Sequence, residues 1–411
     1  MKIRRSMLLA ICGLFVIVGS AFAQTWTLTG APTNNFWPGP QSIASSADGS
    51  KLAACYNDFE VYPAHYVIYT STDSGATWTS RITLTNWGWF SVASSADGNR
   101  LVAASWEFGI YVSTNSGVDW IQTSAPTNIL WTSVASSADG SRLVAAAGTA
   151  LNYVGPIYVS TNSAATWTPT SAPIMSWVSV ASSADGNKLV AAACIGPIYT
   201  SADGGITWTQ TSAPNTNWVS VTSAADGNKL AAAQYFSGAD DSFIYTSADS
   251  GASWTVHYFS PDIAHGWQGI ASSADGNKLV AVTQGPIFTS TDSGTTWVSN
   301  NAPAQIYWCA ASSADGSRLV AGSIGDLGNP LGGGIYASQT TPAPQLQLAP
   351  SVGNLTASWI VPSTNFVLQQ SLDLSSWMDV TNSSVLNLTN LQEEVVLSPT
   401  NSSGFYRLKT P

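Results

Sequence analysis

The chain has 411 residues, of which only 9% are charged, and its formal net charge is −10 at pH 7. Glycine, serine, threonine, alanine and tryptophan are abundant, which is typical of many short strands and turns rather than of helices. An acidic surface repels phosphate groups, and this argues against nucleic acids and anionic membranes as partners.

The first 23 residues have the pattern of a cleaved secretory signal. Lys2, Arg4 and Arg5 precede an apolar run over residues 7–18, and the small-residue site AFA follows at 21–23. The run is shorter than the ~20 residues that span a bilayer, and no later stretch is apolar for long enough. We expect a monomer without a transmembrane segment, secreted or held in the periplasm or cell envelope. Its net charge after cleavage would be −13, because the removed segment carries three basic residues.

Three cysteines follow the signal, and they do not form a disulfide framework. Cys55, Cys194 and Cys309 are odd in number and far apart in the sequence. Free cysteine is among the most buried residue types, so we expect these three to be small apolar core residues rather than catalytic groups or metal ligands.

An internal repeat dominates the rest of the chain. The segment A-S-S-A-D-G, or its close variant T-S-A-A-D-G, recurs seven times at spacings of 49, 42, 46, 41, 49 and 40 residues. Periods of this length with several short strands per unit are typical of β-propeller blades. The repeated aspartates are Asp48, Asp97, Asp139, Asp185, Asp226, Asp275 and Asp315.

One unit, residues 177–214, predicts a four-stranded antiparallel meander. The strands are expected at 177–182, 188–193, 198–201 and 207–212, with aspartate and glycine at the intervening corners. The first two strands are rich in small residues and the last two carry tyrosine and tryptophan. This gradient suits blades that converge on a central axis.

The two ends of the repeat region predict how the ring closes. Residues 25–32 (TWTLTGAP) match the fourth strand of other units, whereas the seventh unit stops after its third strand at 335–338. The N-terminal strand should therefore complete the last blade of a seven-bladed propeller, leaving no free sheet edge there. An open solenoid is the structural alternative, and the split unit argues against it.

The C-terminal part predicts a second, smaller all-β domain. We expect the propeller over residues 24–338, a proline-rich linker over 339–350 and a β-sandwich-like domain over 351–411. Short strands are expected at 354–359, 366–371, 385–388, 393–397 and 405–408.

The segments between the third and fourth strands carry a family resemblance. Four copies read S-x-D-x-G-x-[TS]-W, and two further copies place Asn115 or Asn162 at the aspartate position. They resemble the Asp-box, or bacterial neuraminidase repeat, which implies a structural hairpin with a capping aspartate and a packing tryptophan. The whole unit also resembles the photosystem II assembly and stability factor type of propeller, a fold-level resemblance. The six segments span residues 71–78, 113–120, 160–167, 201–208, 247–254 and 290–297.

The resemblance to sialidases does not extend to their catalytic residues. That chemistry needs three arginines around the substrate carboxylate, but Arg100, Arg142 and Arg318 all occupy one repeat position, where other units carry lysine. A position that is basic in every blade indicates a solvated turn. Only Arg81 remains elsewhere in the propeller, so sialidase activity is not expected.

A glycoside hydrolase remains the enzymatic alternative. Such enzymes need two carboxyl groups about 5–9.5 Å apart, and loop acids such as Glu60, Glu107 or Asp240 would have to provide them. No metal-binding histidine spacing and no phosphate-binding glycine loop are present, so no metal or cofactor is expected. The pair Asp240-Asp241 could ligate Ca²⁺, but a solvated loop is the preferred interpretation.

Binding residues are expected at the propeller end that carries the loops between second and third strands, because those loops vary most in length. Large aromatic residues also begin the inner strands there. They predict either an aromatic collar that stacks on a ligand or packing between blades, and packing is favoured. These positions are Trp89, Trp131, Trp177, Trp218, Trp267 and Tyr307, with Pro40 in the remaining unit.

Three tryptophans outside the repeat pattern, Trp37, Trp87 and Trp106, are better candidates for ligand contact. We therefore predict a non-catalytic propeller that presents its loop-rich end to a protein or a glycan. A hydrolase of extracellular polysaccharide and a purely structural envelope protein are the alternatives. The remaining candidate ligand-binding residues are the loop acids Glu60, Glu107, Asp240 and Asp241.

Overall fold

The computed structural model is all-β, and no helix occurs in the residues that it describes. Thirty-five strands in that part of the chain form nine antiparallel sheets. The described residues are 24–33, 39–58, 65–84, 88–106, 108–148, 153–235, 242–259, 266–325, 333–339, 346–351, 354–360, 367–371, 376–382, 384–387, 392–397 and 405–409.

Seven of these sheets have four strands each and form the blades of a propeller, as predicted. Blade 1 contains β2 (Pro40–Ser45), β3 (Leu52–Asp58), β4 (His65–Ser71) and β5 (Thr79–Leu84). Blade 2 contains β6 (Trp89–Ser94), β7 (Leu101–Ser105), β8 (Gly109–Ser113) and β9 (Ile121–Gln122). Blade 3 contains β10 (Trp131–Ser136), β11 (Leu143–Gly148), β12 (Val154–Ser160) and β13 (Thr168–Pro169). Blade 4 contains β14 (Trp177–Ser182), β15 (Leu189–Ala193), β16 (Ile198–Ser201) and β17 (Thr209–Gln210). Blade 5 contains β18 (Trp218–Ser223), β19 (Leu230–Gln234), β20 (Ser242–Ser247) and β21 (Thr255–Phe259). Blade 6 contains β22 (Trp267–Ser272), β23 (Leu279–Thr283), β24 (Ile287–Ser290) and β25 (Val298–Ser299).

The seventh blade is built from both ends of the propeller region. It contains β26 (Tyr307–Ser312), β27 (Arg318–Ser323), β28 (Gly334–Gln339) and, as its outer strand, β1 (Thr27–Leu28). Thr27 pairs with Ala337 and Leu28 with Tyr336. The predicted closure by the N-terminal strand is thereby confirmed.

Backbone hydrogen bonds join each blade to the next near the axis. In every A-D-G turn the alanine N–H donates to the carbonyl of the equivalent alanine in the following blade, over 2.6–2.8 Å, and the seventh bond returns to the first blade. Small residues are required here because the seven turns crowd around one axis. The ring runs through Ala47, Ala96, Ala138, Ala184, Ala225, Ala274 and Ala314.

The repeated basic position lies in a partly exposed turn, as expected, and its side chains also join neighbouring blades, which the sequence did not predict. Lys51 Nζ donates to Asn99 Oδ1 of the next blade at 2.6 Å. Arg318 of the seventh blade donates to the carbonyl of Asp48 at 3.1 Å and to Ser74 Oγ at 3.0 Å in the first. The long side chains of this position therefore bridge blades at the end of the propeller opposite the variable loops.

The hairpins between third and fourth strands are held by their own side chains. Asp73 accepts hydrogen bonds from the hydroxyl and backbone N–H of Thr77 and from the hydroxyl of Ser71, and these bonds lower the pKa of Asp73 to about 2. Where asparagine replaces the aspartate, Asn162 accepts from the Thr166 N–H and donates to its hydroxyl. The asparagine copies therefore keep the same turn.

The remaining two sheets form the small C-terminal domain. Their packed residues are Ala357, Trp359, Leu368, Val395 and Leu397. The first strand of this domain begins at Gln347, inside the segment 339–350 that the sequence predicts to be a linker. The two sheets contain β29 (Gln347–Ser351), β30 (Asn354–Ile360), β34 (Gln392–Leu397) and β33 (Val385–Asn387), and β32 (Met378–Asp379), β31 (Val367–Ser371) and β35 (Phe405–Lys409).

Closure by β1 makes a testable contribution to stability. Trp26 is 5% exposed and packs with Val280, Ile287 and Tyr307 between the sixth and seventh blades. We expect Trp26→Ala to lower the free energy of unfolding by about 3–5 kcal/mol, measured by urea denaturation. Leu28→Ala, two residues further along and within β1, is the matched control, because Leu28 is 50% exposed. Equal effects of the two substitutions would contradict this role of Trp26.

Candidate functional site

The aromatic residues that begin the inner strands lie inside the protein. All six rings are 0% exposed. Trp131, for example, shares a core cluster with Ile110 of the preceding blade and meets the Tyr158 ring of its own blade edge to face at 5.4 Å. No face of these rings is open to a ligand, so they pack between blades and do not form a collar at the surface. The six are Trp89, Trp131, Trp177, Trp218, Trp267 and Tyr307.

The residue after each of these positions has a different environment. In all seven inner strands the pairing with the second strand skips that residue, which leaves a β-bulge. A bulge breaks the alternation of a strand and re-aims a side chain. All seven bulge residues are half-buried and line one cavity of about 730 Å³ at the axis. They are Gln41, Phe90, Thr132, Val178, Val219, Gln268 and Trp308.

A second set of side chains lines the cavity from the ends of the second strands. Trp106, Cys194, Tyr235 and Gln284 each follow the last residue of such a strand. The Trp106 ring meets the ring of Phe90 edge to face at 5.0 Å. Starts of inner strands and ends of second strands share one end of an antiparallel blade, so the cavity opens at the end that carries the variable loops. Trp106, one of the predicted contact residues, therefore lies on it.

The described lining carries no aspartate, glutamate, lysine, arginine or histidine. Its polar groups are hydroxyls, two half-buried thiols, the indole N–H groups of its tryptophans, and the side-chain amides of Gln41, Asn217, Gln268 and Gln284. General acid–base chemistry needs an ionisable group within hydrogen-bond reach of the reacting atoms. The ionisable groups of the described lining are therefore limited to the Tyr235 phenol and the thiols of Cys194 and Cys309.

The other predicted site residues lie outside the described residues. They are Trp37, Trp87, Glu60, Glu107, Asp240 and Asp241. Glu107 is the sequence neighbour of Trp106, and Asp240 and Asp241 lie in the segment between β19 and β20. Among the residues that are described, no group of three or more His, Cys, Asp or Glu side chains could hold a metal ion.

The cysteines only partly match the expectation of core residues. Cys55 is fully buried, whereas Cys194 and Cys309 are half-buried and line the cavity. Cys194 Sγ donates to Asn217 Oδ1 at 3.1 Å. Burial raises the pKa of Cys194, and it raises the pKa of Cys309 to about 12. Both thiols are consequently protonated at neutral pH and are weak nucleophiles.

The bulge residues were missed from the sequence, although a signal for them was present. Within the repeat, the positions on both sides of the bulge are nearly uniform: an aromatic residue precedes it and a small residue follows. The bulge position itself changes between amide, aromatic, hydroxyl and aliphatic side chains. A position that varies among otherwise uniform repeats is not dictated by blade packing, and this marks it as a candidate for function.

Comparisons with known proteins agree with this fold. No family model and no curated protein matches the chain by sequence. Similar solved structures include YCF48 bound to D1 peptide (16% identity, TM-score 0.56, covering 77% of this chain and 97% of that one). YCF48 from Cyanidioschyzon merolae (14%, 0.55, 76% and 98%) and the β-propeller domain of Cps50 (Swd1) from Myceliophteria thermophila (13%, 0.53, 76% and 100%) are also similar.

At these identities the similarity shows the fold alone. The chain is a β-propeller repeat protein. No helix in the described part of the chain is long and apolar enough to cross a bilayer.

Thiol chemistry checks the placement of the cavity. We expect one thiol of the native chain from Gln24 onward to react with Ellman's reagent at pH 8, more slowly than an unstructured cysteinyl peptide, because Cys194 is half-exposed but its pKa is raised. Cys194→Ser should abolish this phase. Cys55 should react only in urea because it is fully buried, and Cys309 because its pKa of about 12 leaves almost no thiolate at pH 8. A second reactive thiol in the native protein would show that the cavity is more open than described.

Proposed function

We propose that this chain is an exported, non-catalytic binding propeller that takes a segment of a partner protein at its loop-rich end, in the axial cavity. The observation that carries the proposal is the set of seven bulge side chains, which differ in chemistry from blade to blade and line one cavity. Variable positions on a rigid repeat scaffold are where binding specificity usually resides.

A protein partner has the support of one structural neighbour, because YCF48 was solved with a D1 peptide bound. A glycan is the second candidate. The Trp106 and Trp308 rings lie in the same lining as four side-chain amides, and aromatic faces with nearby amides also suit sugars. The hydrolase alternative requires carboxyl groups from Glu60, Glu107 or Asp240, because the described lining supplies none.

We assign the S-x-D-x-G-x-T-W hairpins to the Asp-box type and give them a scaffold role. Their aspartates are occupied by local hydrogen bonds, as Asp203 is by Ser201 and by both donors of Thr207. These hairpins lie at the end of each blade that is opposite the cavity. Their resemblance to sialidase repeats therefore concerns folding and not catalysis.

Export is proposed from the sequence of the first 23 residues. We expect the chain, expressed in full length in a bacterium with a general secretory pathway, to accumulate outside the cytoplasm with Gln24 as its first residue. Mass spectrometry of the intact protein measures this. A lysine at the −1 position, Ala23→Lys, should leave an uncleaved precursor, because the peptidase requires a small side chain there. Cytoplasmic accumulation of the unaltered full-length chain would contradict export.

The binding function is tested with a cavity-filled variant. Trp308 occupies the bulge position of the seventh blade, so the scaffold accommodates a large ring there, and Val219→Trp should fill the cavity without unfolding the protein. Val256→Trp is the matched control, since Val256 lies on the outer strand of the same blade and is 53% exposed. The purified proteins are screened against displayed random peptides and a glycan array, with reducing ends assayed in the same samples.

We expect the screen to find ligands that bind the unaltered protein. The Val256→Trp variant should bind them with unchanged affinity, and the Val219→Trp variant should bind them at least ~10-fold more weakly. New reducing ends would instead support the hydrolase. Ligands that are insensitive to Val219→Trp, or no ligands of either kind, would refute binding in the axial cavity.

A further inference from the structure

The cavity lining divides into two chemically different parts around the axis. Leu130, Val178 and Val219 supply an aliphatic wall from the third, fourth and fifth blades. Asn217, Gln268 and Gln284 on the fifth and sixth blades, with Gln41 on the first, supply side-chain amides. A ligand that fills the cavity therefore meets aliphatic groups over the third to fifth blades and side-chain amides over the fifth, sixth and first blades, with the Trp308 ring of the seventh blade between Gln268 and Gln41.

Five of the six hydroxyl groups in the described lining already form hydrogen bonds with the scaffold, and the sixth is the phenol of Tyr235. Thr132 Oγ1 donates to the carbonyls of Ala146 and Trp177, at 3.1 and 2.9 Å. Ser179 Oγ accepts the N–H of Val221 from the next blade at 3.0 Å, and Ser42, Ser91 and Ser220 accept equivalent bonds. The aliphatic wall consequently offers few polar partners to a ligand.

Two of the amides have their bonding capacity available. Asn217 Oδ1 accepts from Cys194, and Gln41 Nε2 donates to the carbonyl of Gly39 at 3.3 Å. Gln268 and Gln284 line the cavity, and neither has a side-chain hydrogen bond to another described residue. Each can donate to a carbonyl and accept from an N–H of a ligand, which is the pair of groups that a peptide backbone presents.

The lack of charged side chains in the described lining further restricts the chemical class of the ligand. With no ionised side chain in the described lining, an ammonium, guanidinium or carboxylate group entering the cavity would lose its hydration without gaining a counter-charge, and that cost is large. A sugar ring carries hydroxyls around most of its edge, so some of them would face the aliphatic wall unbonded. A peptide separates its polar backbone from an apolar side chain, and this matches the two parts of the lining.

We propose that the axial cavity receives an uncharged peptide segment, with a large aliphatic or aromatic side chain against Val178 and Val219 and its backbone amides bonded by Gln268 and Gln284. This inference rests on the proposed binding function and specifies the chemistry of the partner. Charged peptides and glycans are the competing ligands that the test separates.

The test uses the peptides selected from the display library, resynthesised with acetylated N-termini and amidated C-termini. We expect the selected cores to contain Leu, Ile, Met, Phe or Trp and to lack Asp, Glu, Lys and Arg. Replacing the central apolar residue of a peptide by Asp or by Lys should each weaken binding at least ~10-fold, measured by calorimetry or tryptophan fluorescence.

Protein variants test both parts of the lining. Val219→Asp should weaken binding at least ~10-fold, because it places a charge against the apolar side chain of the peptide. Val219→Gln is a second variant that the fold tolerates, since the first and sixth blades carry glutamine at this position, and it should also weaken binding. The double variant Gln268→Leu and Gln284→Leu should cost about 10-fold or more by leaving backbone groups of the peptide unpaired.

Matched controls lie on outer strands. Val256→Asp on the fifth blade and Gln210→Leu on the fourth should change affinity less than ~2-fold, because both residues are exposed and far from the axis in their blades. Thermal unfolding of every variant verifies that it is folded.

The outcomes separate the two proposals. Charged peptides that bind and are lost with Val219→Trp would overturn the uncharged-peptide inference and leave axial binding in place. Binding of glycans that is lost with Val219→Trp, without any binding of peptides, would likewise overturn the uncharged-peptide inference and leave axial binding in place. Absence of any ligand sensitive to Val219→Trp would overturn the binding function itself.

Discussion

The ring of seven backbone hydrogen bonds between the alanines of the A-D-G turns is the constraint on which the rest of the propeller depends. Each bond joins one blade to the next over 2.6–2.8 Å, and the bond from Ala314 to Ala47 closes the circle. Because every blade donates once and accepts once, all seven inner strands reach the axis at the same height. The basic residues two positions beyond the glycine add side-chain bridges at the same end, such as Lys51 to Asn99 and Arg318 to Ser74.

Because the A-D-G turns fix the height of the inner strands at one end of the propeller, they also fix the height of the bulges at the other end. Seven inner strands of equal length bring seven equivalent bulges to one level, and their side chains line a single cavity of about 730 Å³. The large aromatic residue before six of the seven bulges is packed between blades and anchors the strand, and Pro40 takes this position in the first blade. The packing residue and the candidate binding residue are thus adjacent in the same strand. The bulge turns their side chains in different directions, one into the space between blades and the other toward the cavity. This arrangement lets the cavity chemistry change from blade to blade while the packing stays uniform.

The distribution of charge follows from the same organisation. Basic side chains of the repeat, including Arg100 with its bond to Ser163 and Arg318 with its bonds to the first blade, are used in bridges at the end opposite the cavity. The described cavity lining is uncharged. A lining of amides, aromatic rings and aliphatic groups suits recognition by shape and hydrogen bonding.

The sequence by itself determined the blade number, the four strands of each blade, the closure of the seventh blade by residues near Trp26, and most strands of the C-terminal domain. These features are local or periodic, because strand alternation and turn residues act over a few positions and the repeat copies them seven times. Only the tertiary structure decided which residues face the axis. The bulge shifts the alternation of the inner strand by one residue, so Trp177 is buried and Val178 lines the cavity.

The bridges made by Lys51 and Arg318 could also be recognised only in the tertiary structure. Lys51 bonds to a residue one blade further along the chain, and Arg318 bonds to residues nearly the whole ring away in sequence. The first strand of the C-terminal domain, Gln347–Ser351, was hidden for a related reason. It follows a proline-rich segment and gains its strand structure from pairing with Asn354–Ile360. Pairing with another segment, distant along the ring for the bridges and adjacent in a hairpin for this strand, decides such features, and the residue preferences of the segment alone do not encode them.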